Sequence, residues 1–243
     1  EGAVSYNFDE FSTLYHNSNF SIFGRGRHFL PNRPIDDSVD QTDVRRLNLA
    51  LSFNPRKLIL LPKFTFSGTI QAELAGLDSF ENDFPYNRYL AQMLFYYNFE
   101  PGSMFSWRVR SGSITGEAPG FRRFRLGGIG SLRATPYKSL EGNQMLLSNL
   151  EVHFGRENRY SGSWVNLNQF HLILFLDSGW AQQDEQLAES DNPFQGFDNF
   201  RLSDMTHDAG IGAGSGLFRF ELAWPLNADH RSPTFWVRFN PTF

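Results

Sequence analysis

Between Phe124 and Phe154 the chain reads FRLGGIGSLRATPYKSLEGNQMLLSNLEVHF, a Gly-rich basic loop running into an alternating strand. The loop carries one conspicuous arginine, Arg133, and the strand carries Glu151 among leucines. A guanidinium can fork two hydrogen bonds to a single carboxylate, so residues of these types can lock one segment onto another. Other chemistry is poorly provided for. The chain has no cysteine, which excludes a disulfide framework and a thiolate metal site. Its six histidines show no ligand spacing, so neither a metal nor a cofactor is expected. There is no G-x-S-x-G nucleophile motif. The run DAGIGAG, with Gly210, Gly212 and Gly214, has the glycine density of a phosphate cradle, but it leads into a strand and not a helix. A small-residue strand against which something packs is the better reading, and no enzyme is expected.

These residues must be positioned by strands, because the dominant period of the sequence is two. In PKFTFSGTIQAELAG, Phe64, Phe66, Gly68, Ile70, Ala72 and Leu74 alternate with Lys63, Thr65, Ser67, Thr69, Gln71 and Glu73. MFSWRVRSG sets Phe105, Trp107 and Val109 against Ser106, Arg108 and Arg110; LFRFELAW sets Phe218, Phe220, Leu222 and Trp224 against Arg219 and Glu221. Such alternation marks strands with one apolar and one polar face. Charges never share the apolar parity. Aromatic residues make up 16% of the chain, yet its mean hydropathy is -0.40, so the apolar side chains are segregated onto one surface.

A soluble sandwich also alternates, but its strands average about five to six residues. These segments are longer and rich in Phe, Tyr and Trp. They suit an all-β antiparallel transmembrane β-barrel, with apolar residues facing lipid and polar residues facing the lumen. Short connectors such as PG (101–102) and GSG (214–216) alternate with long polar ones, as expected of periplasmic turns and extracellular loops. Candidate strands fall near 4–15, 20–28, 45–54, 58–75, 88–100, 103–114, 145–154, 168–181, 206–214, 217–226 and 234–243. Barrels of this kind have even strand numbers, so about 12 strands are expected and 10 remain open. Residues 1–243 read as a single barrel domain. The net charge of -4 argues against nucleic acid as a partner.

The second half resembles the BamA/TamA-type outer-membrane assembly factors, the bacterial surface-antigen family. RLGGIGSLRATPY, with Gly127 and Gly128, looks like the family's loop and its hydrophobe-Arg-Gly-aromatic tetrad. LSNLEVHF looks like the strand that follows. LILFLDSGWA resembles the next, ending in Asp-x-Gly at Asp177 and Gly179. DAGIGAGSGLFRFELAWPL, with Gly210 and Gly212, looks like the glycine strand, turn and following strand. FWVRFNPTF, with Phe239, Pro241 and Phe243, resembles the closing strand and its terminal aromatic. The likeness covers residues 121–243. It departs at the tetrad, where Ala134 and Thr135 follow the arginine; because alanine does not readily take a left-handed backbone, a remodelled loop tip is expected. The family barrel has 16 strands and follows periplasmic domains, and neither feature is found in this sequence.

The resemblance implies a loop folded back into the lumen, with Arg133 held between Glu151 and Asp177. An unpaired charge in a confined site is costly, which favours the same arrangement. GFRRFR (120–125) either adds lumen contacts or forms an exposed basic turn that meets lipopolysaccharide phosphates. The implied location is the bacterial outer membrane. The implied role is insertion or translocation of polypeptides, or support of a complex that does this, through a weak seam that pairs with a client strand. Partners would be outer-membrane lipid or lipopolysaccharide, a client polypeptide, and periplasmic or outer-membrane proteins. The alternatives are a plugged barrel that anchors a partner, and a small channel.

Overall fold

The structure is a computed structural model; it describes residues 2–11, 42–53, 63–77, 84–100, 102–155, 170–190, 192–195, 197, 200–215, 218–227 and 232–239. In chain order the strands are β1 (Gly2–Phe11), β2 (Thr42–Phe53), β3 (Phe64–Leu74), β4 (Tyr86–Glu100), β5 (Ser103–Gly116), β6 (Phe124–Leu126), β7 (Leu140–Gly142), β8 (Gln144–Phe154), β9 (His171–Gln182), β10 (Thr206–Ser215), β11 (Phe218–Pro225) and β12 (Thr234–Phe239). Ten of them form one antiparallel sheet in the order β1-β2-β3-β4-β5-β8-β9-β10-β11-β12. Each strand pairs with its neighbour in sequence once the β6–β7 hairpin is set aside. This is an up-and-down meander, in which each connection returns directly beside the strand it left.

Among the described residues the sheet therefore has ten strands, the smaller of the two counts that the sequence left open. The candidate strand at 20–28 lies outside the described residues, as do Pro241 and Phe243. The sequence reading treated the connection after β5 as one polar loop. It contains a short hairpin of its own, β6 with β7, in which Phe124 pairs with Gly142 and Leu126 with Leu140. Three-residue strands are too short to show a period, so alternation could not reveal them.

The two faces differ as their parity dictates. Leu49, Leu51, Phe53, Ile70, Met93, Trp107, Leu172, Leu174, Ile211, Phe220, Phe235, Val237 and Phe239 are exposed on the outer face, and Phe66 and Phe95 share that parity. Neighbouring rings meet along it, with Phe95 stacked on Trp107 at 5.4 Å between centroids and Phe218 edge-on to Phe239 at 4.4 Å. A water-soluble chain rarely exposes so continuous an apolar surface; in lipid it is the expected exterior.

The inner face holds charges, and also a core that alternation alone did not disclose. Phe124, Leu126 and Leu132 of the loop are buried against Ala75, Tyr86, Ile114, Met145 and Leu147 of the wall. Burial of each large apolar side chain is worth about 1.5–3 kcal/mol, enough to seat the loop by packing. Glycines make the room. A Cβ at Gly179 would stand 3.0 Å from Leu132 Cδ1, and one at Gly112 would overlap the Phe124 ring. The loop touches both flanks of the sheet: Arg122 lies 3.6 Å from Glu73 on β3, and Trp236 on β12 hydrogen-bonds a loop carbonyl at 2.7 Å. The sheet thus curves around the loop and encloses it in a lumen.

The outer face gives a test. Phe220→Arg is expected to destabilise the protein by about 2–4 kcal/mol in lipid vesicles, the cost of an arginine near the bilayer midplane. Thr69→Arg, on the lumen parity of β3, is expected to cost far less. Denaturant unfolding of both variants in vesicles checks this; equal costs would contradict the assignment of faces.

Candidate functional site

Register sets the height of each polar residue on the inner wall. Arg108 stands across from Asn149, Asn149 across from Asp177, and Asp177 across from Asp208, forming one row over β5, β8, β9 and β10. One residue pair lower, Glu151 faces Phe175, which in turn faces Gly210. Another pair lower, Gly212 faces Glu221, which faces Trp236. The loop tip descends onto these rows.

The tip is shaped by its glycines. Gly127 and Gly128 have φ of 114° and 90°, values that residues bearing a Cβ rarely adopt. A Cβ at Gly127 would collide with the Pro136 carbonyl oxygen, so this position also brings two backbone segments together. Gly127 N donates to Ser131 Oγ at 2.7 Å, and Gly128 N lies within reach of the Leu132 and Thr135 carbonyls at 2.9 and 3.0 Å.

Arg133 is 3% exposed and fully engaged. Its Nε donates to Asp177 Oδ2 at 2.6 Å and its Nη2 to Asp177 Oδ1 at 2.7 Å, a two-pronged pair. Its Nη1 donates to Glu151 Oε1 at 2.8 Å and to Glu221 Oε1 at 2.6 Å. The guanidinium lies 3.5 Å from the centroid of the Phe175 ring. That ring extends over β10 at Gly210, where a Cβ would overlap it. Burial opposes the positive charge on Arg133, but the hydrogen bonds and charge of Asp177, with the charges of Glu151 and Glu221, outweigh burial and raise its pKa above the usual arginine value.

Two more arginines complete the cluster. Arg219 donates to Glu151 at 3.1 and 2.6 Å and pairs with Glu221 at 2.5 Å, and Arg238 lies 3.6 Å from Glu221. Three guanidiniums thus meet three carboxylates, so the formal charges of Arg133, Arg219, Arg238, Asp177, Glu151 and Glu221 cancel. Balance of this kind is what permits ions in a confined space. Asn149 joins the cluster from β8, donating to Asp177 Oδ1 and to the Ser131 carbonyl, each at 2.7 Å.

The departure from the family tetrad is accommodated without backbone strain at Ala134. Among the described non-glycine residues only Lys138 has positive φ, so Ala134 needs no left-handed backbone. The Ala134 and Thr135 amides both donate to Asp208 Oδ2, at 2.8 and 2.9 Å, and Thr135 Oγ1 donates to Asp208 Oδ1 at 3.2 Å. Trp236 Nε1 donates to the Arg133 carbonyl at 2.7 Å. Side chains from β8 through β12 therefore all reach residues 131–135.

The sequence singled out Arg133, Glu151 and Asp177, and the structure brings these three together. It did not single out Asp208, Glu221, Arg219, Asn149 or Trp236. Parity places Glu221 and Arg219 on the polar face, and alternation in MLLSNLEVHF and TFWVRFNPTF does the same for Asn149 and Trp236, but only the register gives the heights that let them converge. Within the GFRRFR segment one arginine makes a lumen contact and two pair locally. Arg122 turns inward to Glu73, whereas Arg123 and Arg125 pair with the half-exposed Glu141 at 3.4 and 2.8 Å. Gly212 faces the cluster without a side chain, and Phe239 ends the described part of β12 on the outer face.

Removing one member of a buried ion pair leaves its partner uncompensated, at about 3–5 kcal/mol. Arg133→Ala is expected to free the loop tip and make it sensitive to protease added outside cells. Asp177→Ala in the same chain is expected to add little, since both changes break one link. Denaturant unfolding of the single and double variants measures this, and strictly additive losses would show that the two residues act independently.

Comparison with known proteins accords with this architecture. No curated protein sequence matches the chain. Among solved structures it is similar to the crystal structure of BamA from Haemophilus ducreyi lacking POTRA domains 1-3, with a TM-score of 0.60 and 16% identity. The match covers 89% of this chain and 45% of that one, so this chain spans less than half the length of the protein it matches. At that identity the likeness establishes the fold. The Omp85 superfamily domain matches residues 3–240, nearly the whole sequence. The chain is a non-enzymatic β-barrel of the bacterial outer membrane, and it belongs to the Omp85 superfamily.

Proposed function

We propose that this barrel acts in the insertion or translocation of polypeptides across or into the outer membrane, or supports a complex that does so. The observation that carries the reading is the link between the loop and β12. This strand has six described residues and stands at one end of the strand order, with β1 at the other. Edge strands present backbone donors and acceptors that a client strand can pair with. Trp236 joins this strand to the Arg133 carbonyl, so the anchored tip can set the position of the edge. Family membership supports the reading at the level of the superfamily.

A second reading, a plugged barrel that anchors a partner protein, is favoured by the extent of the anchor itself. Residues 131–135 are bonded from β8 to β12. A loop held so firmly suits a permanent plug.

Reconstitution separates the two. Vesicles containing the protein are expected to speed the folding of a small unfolded outer-membrane barrel, compared with empty vesicles. Arg133→Ala vesicles with the same protein content are expected to lose much of that gain. Folding is read from the altered gel mobility of the client. Equal client rates in loaded and empty vesicles would overturn the insertion reading.

A further inference from the structure

The connection from β9 to β10, residues 183–205, folds back onto the outside of the wall. Gln144 begins β8 and Trp180 lies near the end of β9. By parity both side chains point outwards, Gln144 in line with Leu146 and Leu150, Trp180 in line with Leu172, Leu174 and Leu176. Leu172 and Leu174 are exposed, as outward residues should be, yet Gln144 is fully buried and Trp180 is 5% exposed. The connection supplies the cover. The Phe197 and Phe200 rings lie 6.0 and 5.2 Å from the Trp180 ring, and the Gln195 carbonyl accepts a hydrogen bond from Gln144 Nε2.

The start of the segment is fixed in the same way. Asn143 Nδ2 donates to the Asp184 carbonyl at 2.7 Å, and the Asp184 amide donates to Asn143 Oδ1 at 2.8 Å. The short helix α1 (Glu185–Ala188) follows and packs against β5. Its Leu187 is fully buried, whereas Glu185 and Gln186, and Glu189 just beyond, are exposed. Ser113, across from Gln144, and Thr115 also point outwards on β5 and are buried. The helix thus turns its leucine to the wall and its charges to water.

Phe194 escapes this packing. It is 76% exposed, and a hydrogen-bonded turn presents it. Its amide donates to Asn192 Oδ1 at 3.0 Å, the Gln195 amide donates to the Asn192 carbonyl at 3.2 Å, and the Asn192 amide donates to Ser190 Oγ at 3.1 Å. The adjoining Gln195 carbonyl is bonded to Gln144, one outward step of about 7 Å along β8 from Leu146. Phe194 is therefore carried outside the wall, beside the apolar surface that lipid covers. Aromatic residues flank the apolar band of such barrels at the membrane interface. Trp180 stands in line with that band but is covered, and the segment that covers it offers Phe194 instead. Residues 183–205 hold six acidic residues and one basic, Arg201, so their charge does not suit anionic headgroups and only their apolar side chains suit a membrane.

We propose that the β9–β10 connection is an interfacial anchor, which rests on the membrane at this rim with Phe194 inserted among lipid acyl chains. The wall holds the segment through Asn143, Gln144 and Trp180, and the segment in turn widens the apolar contact of the barrel where the strands end. The contact depends on the barrel's place in a membrane and on no client polypeptide, so it stands apart from the insertion reading.

The chain has no cysteine, so a single introduced one can be labelled alone. The test places a nitroxide on Phe194→Cys in the full chain, in phosphatidylcholine vesicles. Its collisions are measured with oxygen, which concentrates in hydrocarbon, and with a water-soluble nickel chelate. The oxygen-to-nickel ratio is expected to lie several-fold above that of labelled Glu185→Cys, on the water-facing side of α1. It is expected to approach that of Leu174→Cys on the outer wall. Tyr137→Cys, similarly exposed but on the lumen loop, is expected to match Glu185→Cys, which shows that an exposed label does not draw itself into lipid. Heat-modifiable gel mobility verifies that each variant is folded; should Phe194→Cys not fold, Pro193→Cys in the same turn carries the same expectation. A label in this turn that the nickel chelate reaches as readily as the one on α1 would overturn the proposal, and is the result expected if the turn faces water or another protein.

Discussion

A buried guanidinium has to be answered, and the organisation of this lumen follows from how Arg133 is answered. One carboxylate would satisfy part of its donor fork. Three are supplied, from β8, β9 and β11, and a ring lies beneath the plane. Each carboxylate then needs its own compensation, which Arg219 and Arg238 provide. The cluster is closed in charge, so the loop can remain in a narrow space without water-facing ions. Asp208 extends the same logic to the backbone, taking up two amides that the descent of the loop would otherwise leave unpaired.

Glycine placement is the complement of this electrostatic order. Gly179 admits Leu132, Gly112 admits Phe124, and Gly210 admits the Phe175 ring that supports Arg133. Wall and loop are thus fitted as a core is fitted, through matched loss and gain of volume. The barrel carries two apolar surfaces of different kinds: an outer one exposed to lipid, and an inner one that exists only while the loop is seated.

Much of this was legible in the sequence because a period of two assigns each strand residue to a face. The apolar exterior, from Phe64 on β3 to Val237 on β12, follows from parity, and so does the inward aim of Glu151 and Asp177. Parity says nothing of height. Glu221 and Trp236 could be placed on the polar face, but their convergence on Arg133 depends on the register of β10, β11 and β12. Asp208 escaped for a different reason, since it opens a glycine-rich strand whose glycines drew the attention. The β6–β7 hairpin is too short to carry a period. The inner core escaped because Met145, Leu147, Ile173 and Phe175 share a parity with charges, which the simple rule of apolar outside and polar inside does not anticipate.

The anchor also imposes an order of events. Arg133 is separated in sequence from Asp177 by 44 residues, from Glu221 by 88, and Trp236 lies 103 residues from the carbonyl that it holds. The closure cost of such contacts grows only slowly with separation, about 0.6 kcal/mol per doubling, but each needs the strand that supplies it to be in place. Packing on β5 and β8 and the Arg133–Glu151 pair, 18 residues apart, join the loop to its near neighbours in the chain. The remaining contacts of the tip, to Glu221 on β11 and Trp236 on β12, require those later strands to be in register. The complete anchor therefore reports that the last strands have joined the sheet.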